Sequence, residues 1–167
     1  MTQDVTTESL WRPLRVLMQR VDDEIGRVYD ALPGAEGVRP SWVMEILRLD
    51  AQGPMTIRQL ADSVGRTHSA LSQKVAAMAK AGLVETTRGG RDGRSRQVTL
   101  TGRAQALVEQ MRSEWVATEE VLAELEAETP YPLSRAVRDL EAALDRKSFY
   151  DRLTERLAAT PRPATKR

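Results

Sequence analysis

IRQLADSVGRTHSALSQKVAAMAKAGLVETTRGGRDGRSRQVTLTG, residues 57–102, decides the fold. Thr56 stands directly before it and Gln59 three residues later, the capping-box pattern. In that pattern the threonine hydroxyl accepts from the N3 backbone N–H, and the glutamine reaches back to the N-cap N–H. The helix so opened carries Leu60, Ala61 and Val64, and Gly65 then supplies a residue that tolerates positive φ. Thr67 is suited to cap a second helix with Leu71, Val75 and Met78 on its inner face, and Gly82 closes it. Two short helices joined by a tight glycine-containing turn form a helix-turn-helix. Leu83 to Arg88 reads as a strand, Gly89-Gly90-Arg91-Asp92-Gly93 as a hairpin tip, and Arg96 to Leu100 as the returning strand. A hairpin directly after a helix-turn-helix is a wing.

Outward from this centre the chain is helical. On the N-terminal side, Leu10, Leu14, Leu17, Met18, Val21, Ile25, Val28, Tyr29 and Leu32 recur at three- and four-residue steps, one long amphipathic helix. Pro13 falls in its first turn, where a missing N–H costs little, and Pro33-Gly34 stops it. Ser41 to Asp50 gives a shorter helix bearing Trp42, Val43, Ile46 and Leu47, ended by Gly53-Pro54. On the C-terminal side Thr101 caps a helix to about Glu128, with Leu107, Val108, Met111, Trp115, Leu122 and Leu125 along one side. Pro130 and Pro132 break it, and a last helix is expected over 134–157. The expected fold class is mainly α with a small β-hairpin wing: a winged helix-turn-helix over 40–100 and a long-helix dimerisation layer over 8–33 and 101–158. The Pro-rich, basic stretch 159–167 reads as a disordered tail. The small central module cannot cover the apolar faces of the long helices. A second copy of the chain would cover them in a two-fold layer; an intramolecular bundle of the three long helices is the other solution.

Composition narrows the function. The 167 residues suit one domain with a sizeable core. There is no cysteine and a single histidine, His68, so disulfides, thiolate zinc sites and thiol redox sensing drop out. No stretch approaches the roughly 18 apolar residues of a membrane span, and Met1 to Glu8 lacks the apolar run of a signal peptide. The expected location is the cytoplasm, with no cofactor or metal and no membrane partner. Net charge is only +1, but it is unevenly spread. Residues 66–96 hold seven basic and two acidic residues, a net +5, and the other 18 basic and 22 acidic residues leave −4. A cationic segment on an acidic body is the footprint of an anionic partner, although an ordinary solvated surface can share it.

Taken together, the run 57–102 resembles the MarR family of bacterial transcription regulators. The resemblance is carried by Gly82-Leu83-Val84, Asp92-Gly93-Arg94-Ser95-Arg96, Val98-Thr99-Leu100-Thr101 and Gly102. The flanking helices agree in order and length only. The resemblance implies double-stranded DNA as partner. On the recognition helix it places Ser69 and Gln73 toward the major groove, where Gln can pair bidentately with adenine and Ser reads either type of edge weakly. Many relatives carry Arg at the Gln73 position, so a different base preference is implied here. Thr67, His68, Ser72 and Lys74 become neighbouring contacts, mainly to phosphate, with His68 equally readable as an exposed residue without a role. Arg94 matches the wing arginine that enters a narrow minor groove, Asp92 would orient the wing, and Arg88, Arg91 and Arg96 would add phosphate contacts.

The resemblance further implies a homodimer on an imperfect palindrome, repression by default, and control by a small aromatic or anionic effector. Trp11, Arg15, Trp42, Met111 and Trp115 are the candidate effector residues, and a tryptophan on an apolar helix face is also ordinary core. Two other classes compete. A winged-helix module can dock proteins without touching DNA; the cationic segment argues against that. An enzyme would need a motif, and neither a G-x-S-x-G, a P-loop nor a zinc pattern occurs, although paired carboxylates are invisible in sequence.

Overall fold

In the computed structural model, which describes residues 9–88 and 96–159, the chain runs α1 (Arg12–Ala31), a 3-10 turn (Pro40–Trp42), α2 (Val43–Gln52), β1 (Met55–Thr56), α3 (Ile57–Ser63), α4 (His68–Lys80), β2 (Val84–Arg88), β3 (Arg96–Leu100), α5 (Gly102–Ala127), α6 (Leu133–Arg146) and α7 (Phe149–Ala159). This is a winged helix-turn-helix with long flanking helices. It forms two compact units, one ending at Val116 and the other beginning at Ala117.

Local chemistry sets the boundaries of the first unit. Pro13 lies in the first turn of α1. Leu32, the residue before Pro33, is extended, because the proline ring disfavours helical ψ there. Both halves of the capping box form at α3: the Gln59 N–H donates to Thr56 Oγ1 at 3.2 Å and the Thr56 N–H to Gln59 Oε1 at 2.9 Å. Gly65 takes φ +63° between α3 and α4. Gly82 takes φ +71° after α4, where Leu83 N–H donates to Met78 O and Gly82 N–H to Ala79 O, closing the last carbonyls of the helix. Thr101 Oγ1 accepts from the Ala104 N–H to start α5, and its hydroxyl donates to Gly82 O at 2.7 Å.

The sheet has three strands in the order β1-β3-β2, all antiparallel. The wing hairpin holds Val84 opposite Leu100 and Arg88 opposite Arg96. β1 is an addition to the sequence reading. It pairs Met55 with Val98 and Thr56 with Gln97, and two residues are too few to show a period of two.

Tyr29, Trp42, Ile46, Leu49, Leu60, Leu71, Met78, Leu83, Val98, Leu107 and Met111 form one buried core drawn from α1, the 3-10 turn, α2, α3, α4, the wing and α5. Tyr29 ties α1 to α5 by donating its hydroxyl to Glu114 Oε2 at 2.6 Å; burial, then that carboxylate, push its pKa well up. Arg103, at the start of α5, donates to Ala81 O, Gly34 O and Glu36 O, so one guanidinium joins the end of α4 to the loop after α1.

The single last helix expected over 134–157 is instead two, α6 and α7. Lys147 is extended (φ −157°, ψ 119°). Ser148 Oγ accepts from the Asp151 N–H and caps α7, while Arg152 donates to Ala143 O and Lys147 O and closes α6. A serine and an arginine with local backbone partners make the joint, and the apolar spacing slips with it, since Leu144 and Leu153 are nine residues apart and half a turn out of phase. Neither helix buries a residue, and Leu133, Val137, Leu140 and Leu144 of α6 stay 41–49% exposed.

Candidate nucleic-acid interface

The second helix of the helix-turn-helix is α4. Its inner face, Leu71, Val75 and Met78, is sunk in the core. At 100° per residue the opposite side carries Ser69, Gln73, Ala76 and Lys80, all exposed. The helix therefore turns one uninterrupted solvent stripe outward, with a hydroxyl, an amide, a methyl and an ammonium along it. Ser69 and Gln73 are thus on the exposed side of the helix. Ala76, which the sequence reading did not single out, lies on the same exposed stripe, three residues from Gln73 and seven from Ser69.

At the helix start Thr67 is the N-cap, its Oγ1 accepting from the Ala70 N–H at 3.3 Å. Its hydroxyl thus serves the helix first. His68 is exposed and Ser72 half-buried at the edge of the stripe. Lys74 differs from the rest of the expected phosphate contacts. Only 14% of its side chain is exposed, and its Nζ donates to Glu45 Oε1 at 2.8 Å and Ser41 O at 2.6 Å. Arg66, in the turn before α4, is half exposed with its Nε 3.8 Å from the same Glu45 oxygen.

Arg96 is exposed at the start of β3 and is the register partner of Arg88, so two cationic residues stand opposite one another at the base of the wing. The expected contacts Arg91, Asp92 and Arg94, with the hairpin tip, lie outside the described residues.

The candidate effector residues divide. Trp42 and Met111 are core residues, 5% and 0% exposed, and Arg39 stacks over the Trp42 ring at 5.3 Å. Trp115 packs half-buried against that core. Trp11 is 53% exposed, and Arg15 donates to Ser9 Oγ at 3.0 Å. A shallow hollow along α1, lined by Val16, Gln19, Arg20, Asp23, Glu24 and Arg27, includes none of the five. Among the described residues no group of histidine, aspartate or glutamate is placed to hold a metal ion. No helix there is long and apolar enough to cross a membrane.

Comparison with known proteins supports this architecture. The HVO_A0114 family model matches residues 43–104, from α2 to the start of α5. No curated protein sequence matches the chain significantly. Solved structures do. The S. aureus MepR–DNA complex superposes with a TM-score of 0.62 at 15% identity, over 83% of this chain and 98% of that one. The M. tuberculosis transcriptional regulator MOSR in complex with DNA gives 0.59 at 20% identity over the same shares. A mutant MarR from E. coli, complexed with operator DNA, gives 0.54 at 18% identity over 82% of this chain and 99% of that one. The fold of this chain is that of the MarR-type regulators.

Proposed function

We propose that a chain with this fold is a MarR-type transcription regulator, which binds double-stranded DNA sequence-specifically as a homodimer and represses by occupying its operator. The observation that carries the reading is the outward stripe of α4. Gln73 is suited to the N6 and N7 edge of adenine, Ala76 to the methyl of a neighbouring thymine, and Ser69 to either kind of edge. Thr67 and the first N–H groups of α4, with His68 and Ser72 beside them, favour a phosphate at the helix start. In this reading Arg96 contacts the backbone at the base of the wing, Arg88 and Arg91 add phosphate contacts, and Arg94, with Asp92 as its partner, enters the minor groove.

The exposed apolar residues of α1, Val16, Leu17, Met18 and Val28, and the stripe of α6 need a cover, and a second copy supplies it. A two-fold dimer offers two recognition helices to successive major grooves, roughly 34 Å apart, and so selects an imperfect palindrome. A small aromatic acid is the effector that Trp11, Arg15 and Trp115 suit best: two indole faces and a guanidinium for a carboxylate. Trp42 and Met111 would then act from the core behind them. Such a ligand releases DNA only by preferring the dimer spacing that DNA does not. The protein would act in the cytoplasm.

The test is fluorescence anisotropy on the DNA upstream of the protein's own gene, beside a scrambled duplex, across a salt series. Tight, sequence-preferring binding with a steep salt dependence is expected. Arg94→Ala should weaken both affinity and that dependence. Gln73→Ala should cost about 1–3 kcal/mol of discrimination at one base pair in each half-site. Absence of binding at low salt would leave the protein-docking module as the better reading.

A further inference from the structure

We infer that Lys74 is a positioning residue for the recognition helix rather than a phosphate ligand, and that Arg66 is the cation of this corner that meets the DNA backbone. The inference rests on the DNA-binding reading and assigns roles within it. Glu45 lies on the inner side of α2, 1% exposed, and is the one buried charged residue among the described residues. It takes its place in the apolar series Trp42, Ile46, Leu49, where a leucine would pack without any desolvation cost. Its Oε1 holds Lys74 at 2.8 Å, while its Oε2 is buried without a hydrogen-bond partner. Such a pair is a poor way to gain stability, because burying both charges offsets much of their attraction.

What it supplies is direction. Leu71, Val75 and Met78 attach α4 by apolar contact, which is non-directional and lets a helix roll about its axis. Lys74 sits on the flank of that face, about 70° from its centre at 100° per residue. Its Nζ is fixed at two points, the Glu45 carboxylate on α2 and the Ser41 carbonyl in the 3-10 turn. That double anchor stops the roll. At the helix radius of roughly 5–6 Å, a roll of about 10° moves a side-chain tip by about 1 Å, enough to spoil a bidentate contact from Gln73 to a base. The same geometry removes Lys74 from the cations available to DNA. Arg66 is only 3.8 Å from Glu45 and half exposed at the mouth of the pair, so its guanidinium can turn to a phosphate while the carboxylate stays neutralised by Lys74.

The test compares Arg66→Ala, the paired Glu45→Met/Lys74→Met variant and the wild type, each as the full chain. It uses a duplex selected by the wild type from a random pool and a scrambled duplex, with anisotropy measured across salt. The paired substitution removes both charges together, so no ion is stranded. Its slope of log affinity against log salt should equal the wild-type slope, while the ratio of selected to scrambled affinity falls at least tenfold. Arg66→Ala should show the reverse: a slope shallower by about 0.9, the loss of one phosphate contact, with the ratio nearly kept. Lys74→Arg, which keeps the charge but not the length, serves if the paired variant does not fold; the ratio should again fall at constant slope. A slope shallower by one phosphate in the paired variant, or an unchanged ratio in whichever variant is used, overturns the positioning role. An unchanged slope in Arg66→Ala overturns the role of Arg66. A wild type that selects no duplex overturns the DNA-binding reading itself, and this inference with it.

Discussion

α4 and α6 are of nearly equal length, 13 and 14 residues, and their apolar faces meet opposite fates. α4 buries Leu71, Val75 and Met78 inside its own unit. α6 repeats Leu133, Val137, Leu140 and Leu144 at offsets of four, seven and eleven, a more regular stripe than that of α4, and buries none of them. Amphipathicity says that a face is made to be covered; it does not say by what. The face of α4 is satisfied by the chain itself, which leaves its other side free for the proposed DNA contact. The face of α6 is the one that the proposed homodimer would cover with a second copy. The sharpest way to break this contrast is Leu140→Glu. In a two-fold interface the change counts twice, and burying a leucine contributes about 1.5–3 kcal/mol, so dimerisation should weaken by about 3–6 kcal/mol. Sedimentation should show monomer where the wild type is dimer, and binding to a palindrome should collapse to that of a half-site. A variant that stays dimeric would move the interface away from α6.

The matching change in α4 is Leu71→Ala. Leu71 is 0% exposed, and truncation leaves a cavity that should cost about 2–5 kcal/mol of unfolding free energy. Chemical denaturation reads that loss, and sedimentation should still report a dimer. The two variants thus separate the fold from the assembly. If Leu71→Ala also dissociated the dimer, the winged unit and the dimer layer would have to be one cooperative structure.

The same contrast explains how much was legible in the sequence. In the winged unit, local chemistry and long-range packing agree. Thr56 with Gln59, Gly65, Thr67, Gly82 and Thr101 each mark a boundary that the structure keeps, and β3 falls on the residues predicted for it. Past Pro132 the break is also written locally, in Ser148 and Arg152, whose hydrogen bonds end one helix and start another, and in the half-turn phase slip between Leu144 and Leu153, nine residues apart, which the expectation of one helix over 134–157 passed over. Within the site, what sequence could not show was pairing. Lys74 looks like any surface lysine until Glu45 is found beneath it. Glu45 itself was hinted at, since it occupies a core position of the α2 repeat. Ala76, a small apolar residue on the exposed stripe, carries no chemical flag in sequence.

The two helices also begin differently, which gives the smaller tests. α4 is capped from its own sequence by Thr67 Oγ1. Thr67→Ala should cost about 1 kcal/mol in a denaturation curve, and it should hold in the presence and absence of DNA alike if the hydroxyl serves only the helix. An additional loss of affinity would mean that Thr67 also touches a phosphate.

α6 has Pro132 at its N-cap and no side-chain cap there. Its start is held instead by the preceding helix: Glu126 accepts from the Ser134 N–H at 2.6 Å and from the Ser134 hydroxyl at 2.6 Å. Those two bonds favour the ionised carboxylate and lower its pKa, with Arg138 adding to the effect. A group whose folded pKa is lowered contributes fully above its unfolded value, and the contribution is lost as pH falls through the folded one. The start of α6 should therefore be firm at neutral pH and loosen only on acidification below the usual carboxylate range. Far-UV circular dichroism against pH should show a small loss of helix there in the wild type and a flatter acid limb in Glu126→Gln. Identical acid limbs would mean that the α6 stripe, once covered by its partner copy, holds the helix without any cap, so that packing outweighs local chemistry in α6, whereas in α4 the two agree.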